Sequence, residues 1–130
     1  SRGLGDVYKR QRLYEIEGFS VYVGKNNTQN EQVTFRIAKA KDIWMHTQTV
    51  HSGHVAVIAE NRDVPPSVLL KAAEITAFFS QARNGTKIAV DYTTRENVKK
   101  PSGAKTGFVT YVNFSTLLVN PDEHAELLKQ

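Results

Sequence analysis

The sequence predicts an α+β domain: a mixed, largely antiparallel sheet of about five strands with two main helices packed on it. Short runs of β-branched and aromatic residues sit between glycines and turn residues, and two stretches with apolar residues at helical spacing interrupt them. Several runs are joined by short turns, as antiparallel neighbours are. The strand–helix alternation in the middle of the chain keeps a partly parallel α/β sheet as the second choice.

In chain order, residues 10–14 read as the remnant of a preceding helix. GFSVYVG, 18–24, is a short strand entered and left by glycine turns. In the following KNNTQNEQVTFRIAKAKD, Asn27 or Thr28 is placed to N-cap a helix, with Glu31 three residues after Thr28 as in a capping box. Val33, Ile37 and Ala40 mark its apolar face, Phe35 lies to one side, and the cations near Lys41 suit its C-terminal end. Residues 43–46 form a strand, HTQTVHSGH a turn, and 54–59 a buried strand. After the loop NRDVPP, the prolines and Ser67 start the longest helix, 67–83, with Asn84-Gly85 as its stop. Residues 87–93 and 107–112 are strands separated by the basic loop TRENVKKPSGAKT, and 114–119 is the last strand before a tail with a final helical turn.

Composition narrows the function classes. At 130 residues the chain is most simply one domain with a substantial core. It has no cysteine, which excludes disulfides, thiolate zinc sites and a cysteine nucleophile. No apolar run approaches the ~20 residues that cross a bilayer, and SRGLGDVYKRQR lacks the layout of a secretory signal, so the chain reads as soluble and unprocessed. The net charge is +4, with Arg83, Lys87, Arg95, Lys99, Lys100 and Lys105 clustered against only Asp91 and Glu96, while PDEHAELLKQ leans acidic. Such a cluster fits a polyanionic partner or a solvated loop.

Three polar constellations carry chemistry. DIWMHTQTVHSGHVAV holds the only tryptophan and three of the four histidines. A metal site there would lack an HExxH helix and a well-placed carboxylate, Asp42 being the nearest. A hydrolase on Ser52 would lack the GxSxG turn. Trp44 and His46 share one side of a strand by period-two alternation, which fits either a surface that stacks on bases and clasps phosphate or a core tryptophan beside a hydrogen-bonded histidine. In VKKPSGAKTG, Lys99, Lys100 and Lys105 flank a Ser-Gly turn whose amides can approach an anion, although the segment is not a Walker loop. In GKNNTQNE, Lys25, Asn26, Asn27 and Asn30 crowd more amides at a helix start than capping requires, a surface suited to phosphate, ribose or base edges.

The order of these motifs resembles the RNA-binding domain at the C-terminal end of NFACT-family proteins. That pattern runs as a glycine–aromatic strand, a GKNNxQN turn, a D-aromatic-aromatic-H strand, a GSHV-like turn and a VKKPxGAKxGxVxY segment. It matches Gly18-Phe19, residues 24–30, residues 42–46, residues 52–55 and residues 98–111, and spans about 17–121. Two departures affect only the fine geometry of the turn: Ser52-Gly53 replaces Gly-Ser, and Met45 stands where an aromatic is common.

The resemblance implies an RNA-contacting module with no catalysis and no cofactor or metal of its own. Lys25, Lys99, Lys100 and Lys105 would touch phosphates, Asn26, Asn27 and Asn30 would read sugar or base edges, and Trp44, His46 and His54 would line the same face. It also implies a ribosome-associated, cytoplasmic quality-control factor that binds the obstructed large subunit, contacts tRNA and ribosomal RNA, and promotes template-free C-terminal alanine tailing. Bacterial members are also described as fibronectin- or fibrinogen-binding adherence and virulence proteins, so a cell-surface adhesin is the competing reading. A histidine-dependent metal enzyme or nuclease is the third. Residues 1–14 then read as the end of the family's coiled-coil arm, 15–121 as the RNA-binding domain and 122–130 as a tail.

Overall fold

The computed structural model describes residues 11–125. Six strands form one sheet: β1 (Arg12–Ile16), β2 (Phe19–Val23), β3 (Ile43–Thr47), β4 (Val55–Val57), β5 (Ile88–Thr94) and β8 (Ser115–Val119). Their order is β1-β2-β4-β3-β5-β8 and every pairing is antiparallel. A separate two-stranded hairpin, β6 (Val98–Lys99) and β7 (Thr110–Tyr111), stands off the sheet. The α+β expectation therefore holds, and the parallel alternative does not.

Alternation along the strands gives the sheet two buried faces. On one face, Val21, Val23, Met45, Val55, Val57 and Val90 pack under helix α2 (Pro66–Phe78), which contributes Val68, Ala72, Ile75 and Phe78. Lys71 holds Asp122 at 3.2 Å, and the Asp122 amide donates to the Glu74 carbonyl, so the start of the tail is fastened to the same helix. On the other face, Tyr22 and Ala56 meet Val33, Ile37 and Ala38 from helix α1 (Asn27–Gln32) and the π-helical turn that continues it, Val33–Ile37.

Several elements depart from the sequence expectation, each for a tertiary or turn-level reason. Residues 12–14 are strand, not helix remnant, because Glu17 (φ 51°) and Gly18 (φ 84°) make a two-residue hairpin turn that pairs β1 with β2. The part of that reading covering residues 1–10, and the final turn of the tail at 126–130, lie outside the described residues.

The cap of α1 is Asn26, whose Oδ1 accepts from the Gln29 amide at 2.9 Å, while Gln29 Oε1 accepts from the Lys25 amide at 3.0 Å. Glu31 is left out of this capping pair. The helical path stops at Ile37 instead of Lys41, because the buried Asp42 carboxylate takes the Lys39 amide at 2.7 Å and the Ala59 amide at 2.8 Å. Helix α2 ends at Phe78 because the chain beyond it pairs with residues 51–53: the Gly53 amide donates to the Phe79 carbonyl and the Gln81 amide to the His51 carbonyl. Asn84-Gly85 lies in the turns that follow.

Candidate nucleic-acid interface

The three polar constellations meet on the α1 side of the sheet. The register sets Trp44 opposite Ala56 and Thr93, and His46 opposite Asp91, so Trp44, His46 and Asp91 share this face. The Trp44 and His46 rings stack with centroids 5.9 Å apart and planes 6° from parallel. His54 stands edge-on to both, with centroids 5.3 Å and 5.5 Å away. Tyr111, brought over by the β6–β7 hairpin, packs on Trp44 at 4.9 Å.

The hairpin is held down by two carboxylates. Asp91, buried, accepts from the Tyr111 hydroxyl at 2.5 Å, Thr116 Oγ1 at 2.7 Å and Gln48 Nε2 at 3.1 Å. Burial, reinforced by the Asp91 carboxylate, pushes the Tyr111 hydroxyl well above the usual tyrosine range. Glu31 Oε2 takes Lys100 Nζ at 2.7 Å and the Gly107 amide at 2.9 Å. The Lys100 ammonium first, then the Gly107 amide, holds the Glu31 carboxyl below the usual carboxylate range.

Glu31 thus ties loop 100–107 to the first helix. Glu31→Ala is expected to cost about 1 kcal/mol and to strip the Gly107 amide of hydrogen-exchange protection. Protection that survives the substitution would mean the loop is held from elsewhere.

Between these elements lies a cleft of about 330 Å³. Trp44, His54 and Tyr111 line its inner part, His46 and His51 one side, and Asn27, Lys105 and Phe108 the rim. The π-helical turn supplies a further link beneath it: Trp44 Nε1 donates to Thr34 Oγ1 at 2.9 Å, and that hydroxyl meets His54 Nδ1 at 2.8 Å. Burial drives the His54 pKa down to about 3, helped by His46 and His51 nearby. His46 is lowered as well, chiefly by burial, and its Nδ1 donates to the Thr47 carbonyl at 2.5 Å. Both imidazoles are therefore neutral at pH 7.

Of the ten residues singled out in the sequence, Asn27, Trp44, His46, His54 and Lys105 come together at this cleft. Five of the ten have structural engagements, and the burial of Trp44 is the core placement that the sequence already allowed. Trp44 and His54 lie fully beneath the surface and form the floor. Asn26 is the helix cap, Asn30 is buried with its Oδ1 accepting from the His54 amide at 3.0 Å, and Lys100 is paired with Glu31. Lys25 and Lys99 are exposed and outside the cleft. The sequence reading missed Phe108 and Tyr111, because GFVTYV has the alternation of an ordinary sheet strand. Only two of its residues pair, and they pair in the outlying hairpin.

The other chemistries considered for the histidines meet a different arrangement. Ser52 is buried, its hydroxyl accepting from the Thr47 amide and donating to the Gly53 carbonyl, with neither neighbouring histidine as partner. Among the described residues, no group of three or more histidine or carboxylate side chains is arranged to hold a metal ion.

An antiparallel sheet that carries an open, aromatic cleft under a tethered basic loop defines a small binding domain. Its family follows from comparison: residues 8–113 match the model of the NFACT protein RNA binding domain, and the chain belongs to that family. It is therefore an RNA-binding domain of the NFACT type.

The chain is 45% identical over 105 residues to the Rqc2 homolog RqcH of Bacillus subtilis, covering 81% of this chain and 18% of that protein. It is 43% identical over 120 residues to the Rqc2 homolog RqcH of Streptococcus pneumoniae, covering 89% of this chain and 22% of that one. The chain thus spans about a fifth of the length of these relatives. Among solved structures, the C-terminal part of the fibronectin/fibrinogen-binding protein from Streptococcus suis superposes with a TM-score of 0.85 at 36% identity, over 93% of this chain and 50% of that one.

Proposed function

We propose that this domain contacts tRNA or large-subunit ribosomal RNA through the cleft face, as the RNA-binding part of a cytoplasmic, ribosome-associated quality-control factor that extends stalled chains with C-terminal alanine. The domain itself performs no chemistry; it holds RNA. The observation that carries this reading is the convergence of Asn27, His46 and Lys105, from three separate segments, on one open cleft. Lys25 and Lys99, both exposed, are free to meet further phosphates of the same RNA. A Drosophila melanogaster relative, 26% identical over 117 residues, is named a ribosome quality control complex subunit NEMF homolog, and an ammonium at the rim beside an exposed amide is the chemistry phosphate contact needs.

Phosphate neutralisation releases counterions, so tRNA affinity should fall steeply between ~50 and ~200 mM salt. The double variant Lys99→Ala/Lys105→Ala should bind more weakly and lower the salt slope by about 2, roughly 1 for each phosphate left without its lysine. Affinity indifferent to salt, or a double variant equal to the parent, would count against the cleft face.

A second reading rests on the name of the Streptococcus suis structure: an adhesin surface for fibronectin. Binding to immobilised fibronectin that persists at high salt, without salt-dependent tRNA binding, would favour it.

A further inference from the structure

Resting on the RNA reading, we propose that the cleft is a receptor for a single unpaired nucleobase. The base would lie against Phe108 and reach the imidazoles of His46 and His54, while its phosphate stays outside at Lys105.

Size comes first. A cleft of about 330 Å³ is at the small end of the range for small-molecule sites, roughly 300–1,000 Å³. It takes one planar heterocycle and excludes a duplex. Charge then decides which part of a nucleotide enters. The accessible floor is made of the Tyr111 ring and the neutral His46 imidazole, with Trp44 and the neutral His54 buried directly behind them, and the lining cation is Lys105, exposed at the rim. A phosphate on that floor would exchange water for uncharged rings. A base would exchange water for aromatic faces and uncharged ring nitrogens, the combination by which proteins take unstacked bases.

Polarity supplies the remaining match. The Thr47 oxygen is a carbonyl and only accepts, so His46 Nδ1 carries its proton and Nε2 is left as an acceptor. Thr34 Oγ1 already accepts the Trp44 N–H, and the acceptor it meets for its own proton is His54 Nδ1, which leaves His54 Nε2–H as a donor. One acceptor and one donor, on imidazoles whose centroids are 5.5 Å apart, complement the mixed donor and acceptor edge that each of the four bases carries, so the receptor tolerates sequence while requiring an unpaired nucleotide. Phe108 completes the site: its ring is 56% exposed at the cleft mouth. Exposed aromatics beside a basic groove are the usual stacking platforms for single strands.

The test compares adenosine 5′-monophosphate with ribose 5-phosphate by NMR, alongside tRNA binding at several salt concentrations. The two small probes share sugar and phosphate and differ only in the base. The monophosphate is expected to shift the Trp44 indole N–H and the His46 and Phe108 ring signals, and ribose 5-phosphate only signals near Lys105. Phe108→Ala, an exposed position, should weaken the monophosphate about tenfold, the worth of one base–aromatic stack, and leave the salt slope for tRNA unchanged. Equal shifts from both probes, or an unchanged affinity in Phe108→Ala, would overturn the base receptor even with tRNA bound. Absence of salt-dependent tRNA binding would instead remove the RNA reading, and shifts at the cleft from the monophosphate alone would then mark a nucleotide site.

Discussion

Gly53→Ala and Gly24→Ala should each lower the free energy of unfolding by about 3 kcal/mol, a large fraction of the stability of a domain this size. The cause is backbone proximity. A Cβ on Gly53 would stand 2.6 Å from the Gly24 carbonyl oxygen and 3.2 Å from Val23 Cγ1. A Cβ on Gly24 would overlap Asn30 Oδ1 and lie 2.8 Å from the Asn30 amide nitrogen. Two bonds stand in the way of relief: the Gly24 amide donates to the His54 carbonyl at 3.0 Å, and Asn30 Oδ1 takes the His54 amide. Moving either segment aside would break bonds that hold the His54 backbone, and the cleft floor would move with it.

Gly103 serves as the control, since a Cβ there meets nothing within 4 Å although its φ is +75°. Gly103→Ala should cost about 1 kcal/mol through backbone strain alone. Urea unfolding reads the difference as a shift in midpoint at constant slope. A Gly53→Ala variant no less stable than Gly103→Ala would mean that the two segments separate easily.

These contacts show what the sequence could and could not reveal. The strands 19–23, 43–47, 88–94 and 115–119 were legible because each is a β-branched or aromatic run bounded by turn residues. The site was legible where residues exceeded what folding needs. Of the four amide side chains at one helix start, Asn26 and Gln29 are used by the cap and Asn30 by the His54 amide, which leaves Asn27 at the cleft, and His46 beside Trp44 followed from period-two alternation.

What escaped depends on long-range pairing. Glu31 reads locally as a capping-box residue, but its partners Lys100 and Gly107 lie far along the chain. Asn30 reads as a solvent-facing amide and is buried because a strand start 24 residues later needs an acceptor. Ser52-Gly53 against the end of α2 is a backbone pairing with no side-chain signature. The motif order links such distant segments, Asn30 in the GKNNxQN turn and Lys100 and Gly107 in the VKKPxGAKxGxVxY segment, so it was more informative than any segment read alone.

Acid should unfold this domain earlier than its carboxylates require, and His54 is the reason. Folded, His54 is fully buried with Nδ1 at the Thr34 hydroxyl, and its pKa is about 3. Unfolded, it titrates near 6.5. Above pH 6.5 both states are neutral at this residue and the stability is fully present. As pH falls below 6.5 the unfolded chain takes up a proton that the folded chain refuses until about pH 3, so unfolding becomes easier by about 1.4 kcal/mol per pH unit. By pH 3.5 the loss reaches about 4 kcal/mol.

His46, also lowered by burial, adds in the same direction. Glu31 contributes only below the ordinary carboxylate range, so the window between about pH 6.5 and 5 isolates the histidines. The measurement is urea unfolding at intervals across that window. His54→Gln, whose side chain can still accept from Thr34, should be less stable than the parent at pH 7. Its stability should nevertheless depend on pH less steeply, by close to one proton. An identical slope in parent and variant would mean that the proton is taken up at another group and that His54 is not held neutral by its burial.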